Sequence, residues 1–331
     1  MRSALAVTLI ATACASGSSE QPVDAARIDA ASPDGPGPGP DAAAPDAAAP
    51  DAAVVDAAAP DARSVDAAVI DAAVIDAVPV DAPVDGPPPT VTSLLLSEVV
   101  LAPTGGEFVE IVNPTAAAVD LGNYYLTDAS QYFRLPAGIA AVAADATDFV
   151  AKFPAGASIP AHGVVTVALD TAANFTATYP GVSPTYSVAS ATMTVLTTGT
   201  ATLTNAGEPV ALFFWDGASD KVTDVDIMIA GTPTAANALA NKSGIAIDGP
   251  DADTATGTYA TDANTLPSQS APASGKSTKR VALESIAVET QTGGGNGVAG
   301  HDETSEQLGM TWDTAAYTVP TPGAVPAALT P

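Results

Sequence analysis

The stretch that most constrains how this chain can fold is Leu94 to Asp128, LLLSEVVLAPTGGEFVEIVNPTAAAVDLGNYYLTD. Two apolar triplets, Leu94-Leu95-Leu96 and Val99-Val100-Leu101, flank Ser97-Glu98. Glu107 to Val112 then alternates polar and apolar residues, the pattern of a half-buried strand. Asn113-Pro114 supplies a turn, and Val119–Leu126 reads as a third strand with Tyr124 and Tyr125 adding amphipathic bulk. A period of two, broken by turn residues, starts a sheet.

The same signals recur downstream. Further strands are predicted at Val164–Leu169, Met193–Leu196, Ala201–Leu203, Val210–Trp215 and Val222–Ile229, separated by clusters such as Asn205-Ala206-Gly207 and Asp216-Gly217. Helical periodicity is confined to Ala144–Phe153 and Ala235–Lys242, within expected insertions near 130–158 and 230–275. Many short strands with frequent turns predict an all-β, antiparallel sandwich or barrel over residues 91–331.

The N-terminus reads differently. Met1-Arg2-Ser3 is a short basic start, and Ala4–Ala13 is an apolar run too short to span a bilayer but suited to a signal peptide. It ends in Ala11-Thr12-Ala13-Cys14, and Cys14 is the sole cysteine of the chain. This resembles a bacterial lipoprotein lipobox, with Ala11 where the pattern prefers Leu. The resemblance implies a diacylglycerol on the Cys14 sulfur after removal of residues 1–13. Two or more acyl chains anchor stably where one would not. Ala15 after the cysteine implies, by the same resemblance, outer-membrane sorting. Ordinary cleavage after Ala13 or Ala15 would instead give a free secreted protein.

From residue 14 to 90 the chain is low in complexity. Asp41, Asp46, Asp51, Asp56, Asp61, Asp66, Asp71, Asp76 and Asp81 recur every five residues in a D-A-A-x-x unit. In a helix that spacing would spiral the aspartates around the axis, and Pro45, Pro50 and Pro60 would break it. A pentapeptide solenoid needs bulky apolar residues where Ala stands. The expectation is a disordered acidic stalk with polyproline-II character, which at about 3.1 Å per residue could reach on the order of 200 Å.

The formal charge of −27 is shared between stalk and domain: 14 acidic and 2 basic residues lie between Ala15 and Thr90, and 23 and 7 from Val91 onward. Such a field disfavours nucleic acid and anionic lipid surfaces, since phosphate contacts need clustered Lys and Arg. Lys276, Lys279 and Arg280 form the one basic cluster, expected at a solvated edge. With one cysteine, no intramolecular disulfide can form, and the core must rest on apolar packing.

The opening stretch also resembles a lamin tail domain, an immunoglobulin-like β-sandwich. Ser97, Glu98, Glu107, Phe108, Glu110, Ile111, Asn113, Asp120, Leu121, Leu126 and Asp128 match that family's opening pattern, with Asn123-Tyr124 where Gly-Trp is usual. Ile159–Asp170, Leu203–Val225, and the closing Ser277–Arg280, Trp312-Asp313 and Thr321–Ala324 follow in family order. The resemblance implies structural roles. Glu107, Glu110 and Asn113 would hydrogen-bond turns and sheet edges, and Glu98, Asp120 and Asp128 count among the structural motif residues. Phe108, Ile111, Leu121, Leu126, Val210, Leu212 and Trp215 would fill the core.

Little chemistry stands out. His162 sits in a turn, and His301 follows a Gly-rich run. No nucleophile elbow joins His301 to Ser285 or Ser305, so no catalytic residues are assigned, and two separated histidines with one cysteine do not make a zinc pattern. Calcium is the ligand best matched by composition. Asp248, Asp251 and Asp253 begin like an EF-hand loop, although Ala255 and Thr256 break that pattern, and Asp302, Glu303 and Glu306 form a second acidic loop. In so acidic a chain such loops ordinarily serve solvation. The expectation is a non-enzymatic, monomeric, lipid-anchored cell-envelope protein presenting a binding or scaffolding module to a protein or glycan. The alternative is an accessory subunit of a secreted hydrolase.

Overall fold

Strand β2 (Phe108–Val112) sits at the centre of the first sheet, and its alternation decides what packs on either face. The computed structural model describes residues 93–263, 269–313 and 318–330. The expected export signal, Cys14 and the expected stalk lie outside the described residues. Strand β1 (Leu95–Val100) and β2 pair antiparallel, followed in the chain by β3 (Val119–Asp120), β4 (Tyr124–Thr127), β5 (Val150–Lys152), β6 (Ser158–Ile159) and β7 (Val164–Ala168). Helix α1 (Ala172–Thr178) leads to β8 (Tyr186–Ser187), β9 (Thr194–Val195), β10 (Gly207–Phe214) and β11 (Thr223–Gly231). The chain then forms β12 (Ala246–Ile247), β13 (Gly257–Thr258), β14 (Thr278–Lys279) and the short α2 (Leu308–Thr311).

Two five-stranded sheets result, in the orders β14-β1-β2-β7-β8 and β11-β10-β4-β5-β9. All of these pairings are antiparallel except β7 with β8. Leu96, Val109, Ile111 and Val165 of the first sheet share one core with Leu126, Phe149, Val150, Val210, Leu212 and Ile227 of the second or its approaches. Tyr125 stacks on Phe213 with centroids 5.0 Å apart, and Tyr132 approaches the same ring at 5.1 Å. Each such large apolar side chain, fully buried, contributes about 1.5–3 kcal/mol. Two sheets closed on a shared apolar layer make the immunoglobulin-like β-sandwich expected from the sequence. Among the described residues no helix is long and apolar enough to cross a membrane.

Several local expectations change. Strand β2 is buried on both faces rather than half-buried. Val109 and Ile111 face the main core, whereas Phe108 packs outward with Val100, Ala168 and Phe175 of α1. The Phe108 and Phe175 rings meet edge-on at 5.8 Å, and Leu329 near the C-terminus covers Leu95 and Val112 at the other end of the face. Thus Phe108 belongs to a satellite core. Trp215 is only half-buried, its indole N–H donating to the Ser219 carbonyl at 2.8 Å.

The two predicted helices do not form. In Ala144–Phe153 the Asp145 carboxylate takes the amides of Thr147 and Asp148, and Asp128 takes that of Phe149 at 2.7 Å, which releases the chain into β5. In Ala235–Lys242 the Ala240 amide goes to the Ser130 carbonyl and the Lys242 amide to Asp262. Side chains and distant carbonyls outcompete the i−4 carbonyls there. Ala201–Leu203 is not a strand either: Leu203 is buried, but its amide is held by Glu107 Oε2 at 3.0 Å instead of a ladder partner. The predicted Val119–Leu126 strand breaks at Gly122, whose amide turns onto Asp120 at 2.7 Å.

Candidate functional site

The segment after β14 carries the densest buried charge in the domain. Arg280 extends the β14–β1 pairing by one residue, its amide on the Ser97 carbonyl at 2.9 Å, and is fully enclosed. Its neighbours are Asp226 of β11, Glu284, and Glu306 just before α2. Arg280 Nη2 lies 2.6 Å from Asp226 Oδ2, and Nη1 lies 2.7 Å from Glu306 Oε1 and 3.4 Å from Glu284 Oε1. The guanidinium carbon stands 5.1 Å from the Trp312 ring centroid, a cation–π contact. The solvated basic edge expected at 276–280 is therefore wrong for Arg280, because the closing segment folds over it.

Two bulges make room for this pair. Strand β1 shifts register between Leu96 and Glu98, and β11 shifts between Asp224 and Asp226, so Ser97 and Val225 are extra residues. Asp226 Oδ2 accepts the Leu96 amide at 2.6 Å, and Arg280 Nε donates to the Leu96 carbonyl at 2.8 Å. The ion pair thereby satisfies backbone groups that the bulge takes from the ladder.

Beyond Arg280 the segment continues through Glu289, a Gly-rich turn, His301 and Glu303. Gly293 and Gly294 adopt positive φ of 111° and 83°, which L side chains rarely tolerate. A Cβ on Gly295 would sit 2.1 Å from the His301 carbonyl oxygen, so the turn can close only around glycine. The paired Thr290 and Asp302 seal its base. His301 Nδ1 is thereby placed 3.7 Å from Glu289 Oε2 and 3.9 Å from Glu303 Oε1. Ligand-type atoms of Glu284, Glu289 and His301 lie within 4.8 Å of one another, as do those of Asp226, Glu284 and Glu303. All of these residues are buried.

Burial dominates the electrostatics. It pushes Asp226 up to about 7 despite the Arg280 guanidinium, and Glu289 up to about 7. It holds Glu284 and Glu303 well above the carboxylate range and pulls His301 below the usual imidazole value. Three carboxyls (Asp226, Glu284 and Glu306) thus face one guanidinium, with Glu289 and Glu303 beside Glu284.

A second network lies beside it. Lys242 Nζ bridges Asp224 at 2.8 Å and Asp262 at 3.1 Å, Tyr132 donates to Asp224 at 2.6 Å, and Asn296 donates to Asp262 at 2.7 Å. Burial works against the Lys242 charge, but Asp224 and Asp262 together raise its pKa. This network fastens Lys242 and Asp262 to Asp224 of β11. A third carboxylate group, Asp128, Asp148 and Glu208, sits under β4 and β10 with its oxygens also within 4.8 Å.

The sequence-predicted residues divide. Glu303 enters the buried cluster, whereas its neighbour Asp302 turns away to cap Thr304 and to accept the Ala263 amide at 3.0 Å. Asp248 and Asp251 come together on an exposed loop with Asp220, without Asp253. Asp251 and Asp253 accept local amides at Asp253 and Ala255. His162 is exposed in its turn. Ser305 Oγ donates to the Asp302 carbonyl at 2.7 Å. The structural motif residues hold backbone. Glu98 takes Thr321, Glu107 takes Leu203, and Glu110 takes Gly323 and Thr166. Asn113 donates to the carbonyls of Ala117, Ile159 and Pro160, Asp120 takes Gly122, and Asp128 takes Phe149. Arg280, Glu284 and Glu289 were missed as a set. Their one sequence signal is that both glutamates sit among apolar residues in VALESIAVE.

Residues 87–226 match the Lamin Tail Domain family. The match ends at Asp226, short of the closing segment that supplies Arg280 and His301. A solved structure, that of a DUF4876 family protein from Bacteroides thetaiotaomicron, is similar at 11% identity, with a TM-score of 0.35, covering 72% of this chain and 75% of that one. No curated protein matches the chain.

Proposed function

We propose that this chain, which carries a lamin tail domain over residues 87–226, is a non-enzymatic envelope protein. It is anchored through lipid on Cys14 and displays its β-sandwich on the acidic stalk as a binding module. The observation that supports the module reading is the use made of the polar family residues. Glu98, Glu107, Glu110, Asn113, Asp120 and Asp128 all bind backbone amides or carbonyls of the sandwich itself. Side chains engaged in this way hold turns and sheet edges of the sandwich itself. A net charge of −27 further favours a protein or glycan partner over nucleic acid.

The anchor is tested by labelling cells with palmitate. The full chain should take up label and Cys14→Ser should not; an unlabelled wild-type chain removes the anchor from the proposal. The binding role is tested by capture from envelope and culture fractions with the full chain. A saturable protein or glycan ligand supports it, and hydrolysis of a captured ligand by the purified chain overturns the non-enzymatic reading.

A further inference from the structure

Several observations converge on the buried side-chain cluster between Arg280 and the Gly-rich turn. Glu303 is 1% exposed, and among the described residues no N–H or O–H donor meets either of its oxygens, which lie against the Glu289 carboxyl. Glu289 Oε1 and His301 Nδ1 likewise have none, and Glu284 Oε1 has only its 3.4 Å ion-pair contact with Arg280 Nη1. Buried polar atoms almost always find partners, so unpartnered atoms gathered among neighbouring carboxyls mark a place where a bound cation would supply the missing partner. Arg280 gives Glu284 only that longer contact, since its guanidinium is engaged at shorter range by Asp226, Glu306 and the Leu96 carbonyl.

We propose that Glu284, Glu289, His301 and Glu303 bind one divalent transition-metal cation of the zinc or manganese class. The donor set argues for that class: an imidazole nitrogen suits zinc and its neighbours, and carboxylates suit manganese, while calcium takes oxygen alone. Four donors around a tetrahedral zinc stand about 3.3 Å apart, given metal–ligand distances of about 2.0–2.2 Å. The His301 Nδ1 separations of 3.7 Å and 3.9 Å from Glu289 and Glu303 come within about half an ångström of that spacing. The surroundings are built to match. Gln291 donates to Glu289 Oε2 at 3.3 Å and orients it. Gly297 leaves space that a Cβ would close, 2.8 Å from Glu303 Oε1.

Four protein donors with little solvent make a closed, structural site rather than a catalytic one. All four come from residues 284–303, a stretch with 3-10 turns as its only regular structure among the described residues. The ion would staple this closing segment, and its binding free energy would add to folding.

The test uses the purified full chain, stripped with chelator and then given zinc or manganese salts. One ion per chain should survive desalting by elemental analysis, and the melting midpoint should rise by about 5 °C or more. Glu303→Gln and His301→Gln should each lose the bound ion and the rise. In chelator, Glu303→Gln should melt at or above the wild type, because it removes one carboxyl from a crowd of buried ones. That keeps loss of metal distinct from loss of fold, and Glu289→Gln repeats the test if His301→Gln does not fold. Wild-type chain that retains neither ion overturns the proposal, as do variants that keep a full equivalent. A midpoint raised by calcium alone also overturns it, because it would dispense with the imidazole.

Discussion

Asp226 and Arg280 meet across the sandwich, with Nη2 2.8 Å from Oδ1 and 2.6 Å from Oδ2, although one lies on β11 and the other extends β14. Both are fully buried, and both also bind the backbone of Leu96. The pair is a cross-sheet tie that doubles as the cap of a β-bulge. Desolvating two charges costs much of what their attraction returns, so the consequence of the pair shows when one member is removed.

Arg280→Met should therefore lose about 3–5 kcal/mol in urea denaturation, since Asp226 and Glu306 would be left buried without their cation. Asp226→Asn should lose less, because its amide oxygen can still accept the Leu96 N–H and Glu306 still pairs with Arg280. Equal losses in both variants would show that the Leu96 contacts, not the charges, set the cost.

Stability should fall as pH rises from about 4.5 to about 7. Burial raises Glu107 and Glu110 from the ordinary glutamate value to about 7. Asp170 and Glu208 facing Glu107, and Glu98 facing Glu110, push the same way, whereas Lys279 opposes at Glu110. The folded state holds these protons through the window in which the unfolded chain has lost them, so the native state binds more protons there. The thermal midpoint should be higher at pH 5 than at pH 8, and Glu110→Gln should flatten the slope. A midpoint that climbs with pH across this range contradicts the assignment.

Phe175→Ala should cost about 3–5 kcal/mol. The ring is fully buried against Phe108 and Tyr179, and its loss uncovers the outer face of β2. Chemical denaturation would show the loss, and a change below about 1 kcal/mol would mean that α1 is dispensable to the sandwich.

Two glycines in the closing segment should respond oppositely to alanine. At Gly295 a Cβ meets a backbone oxygen at 2.1 Å, so Gly295→Ala should lose about 1–3 kcal/mol. At Gly309 in α2 nothing lies within 4 Å, so Gly309→Ala should gain about 0.4–1 kcal/mol through the unfolded state. Melting curves of the two variants compare them directly.

The sandwich was legible because its strands carry their own pattern. Val109 and Ile111 alternate with Phe108 and Glu110, and Asn113-Pro114 ends the run whatever surrounds it. The carboxylate–histidine cluster was not legible. Glu284 and Glu289 are spaced like any surface pair, and His301 has no ligand-spaced partner in sequence. Only folding brings Asp226 to Glu284 and Glu303. Arg280 shows the same limit: next to Lys279 it reads as a basic edge, yet Lys279 remains partly exposed beside Glu98 while Arg280 is sealed.

By itself the sequence determined an all-β domain with strands at β1, β2, β4, β7, β10 and β11, because side-chain alternation and turn chemistry act within a few residues. Tertiary structure alone decided that Phe108 would face outward under α1, that Ala144–Phe153 would yield a strand, and that Asp226, Glu284 and Glu306 would gather around Arg280. Those outcomes depend on desolvation and on backbone partners supplied from more than a hundred residues away, as Leu96 is to Asp226, and no local pattern encodes such a partner.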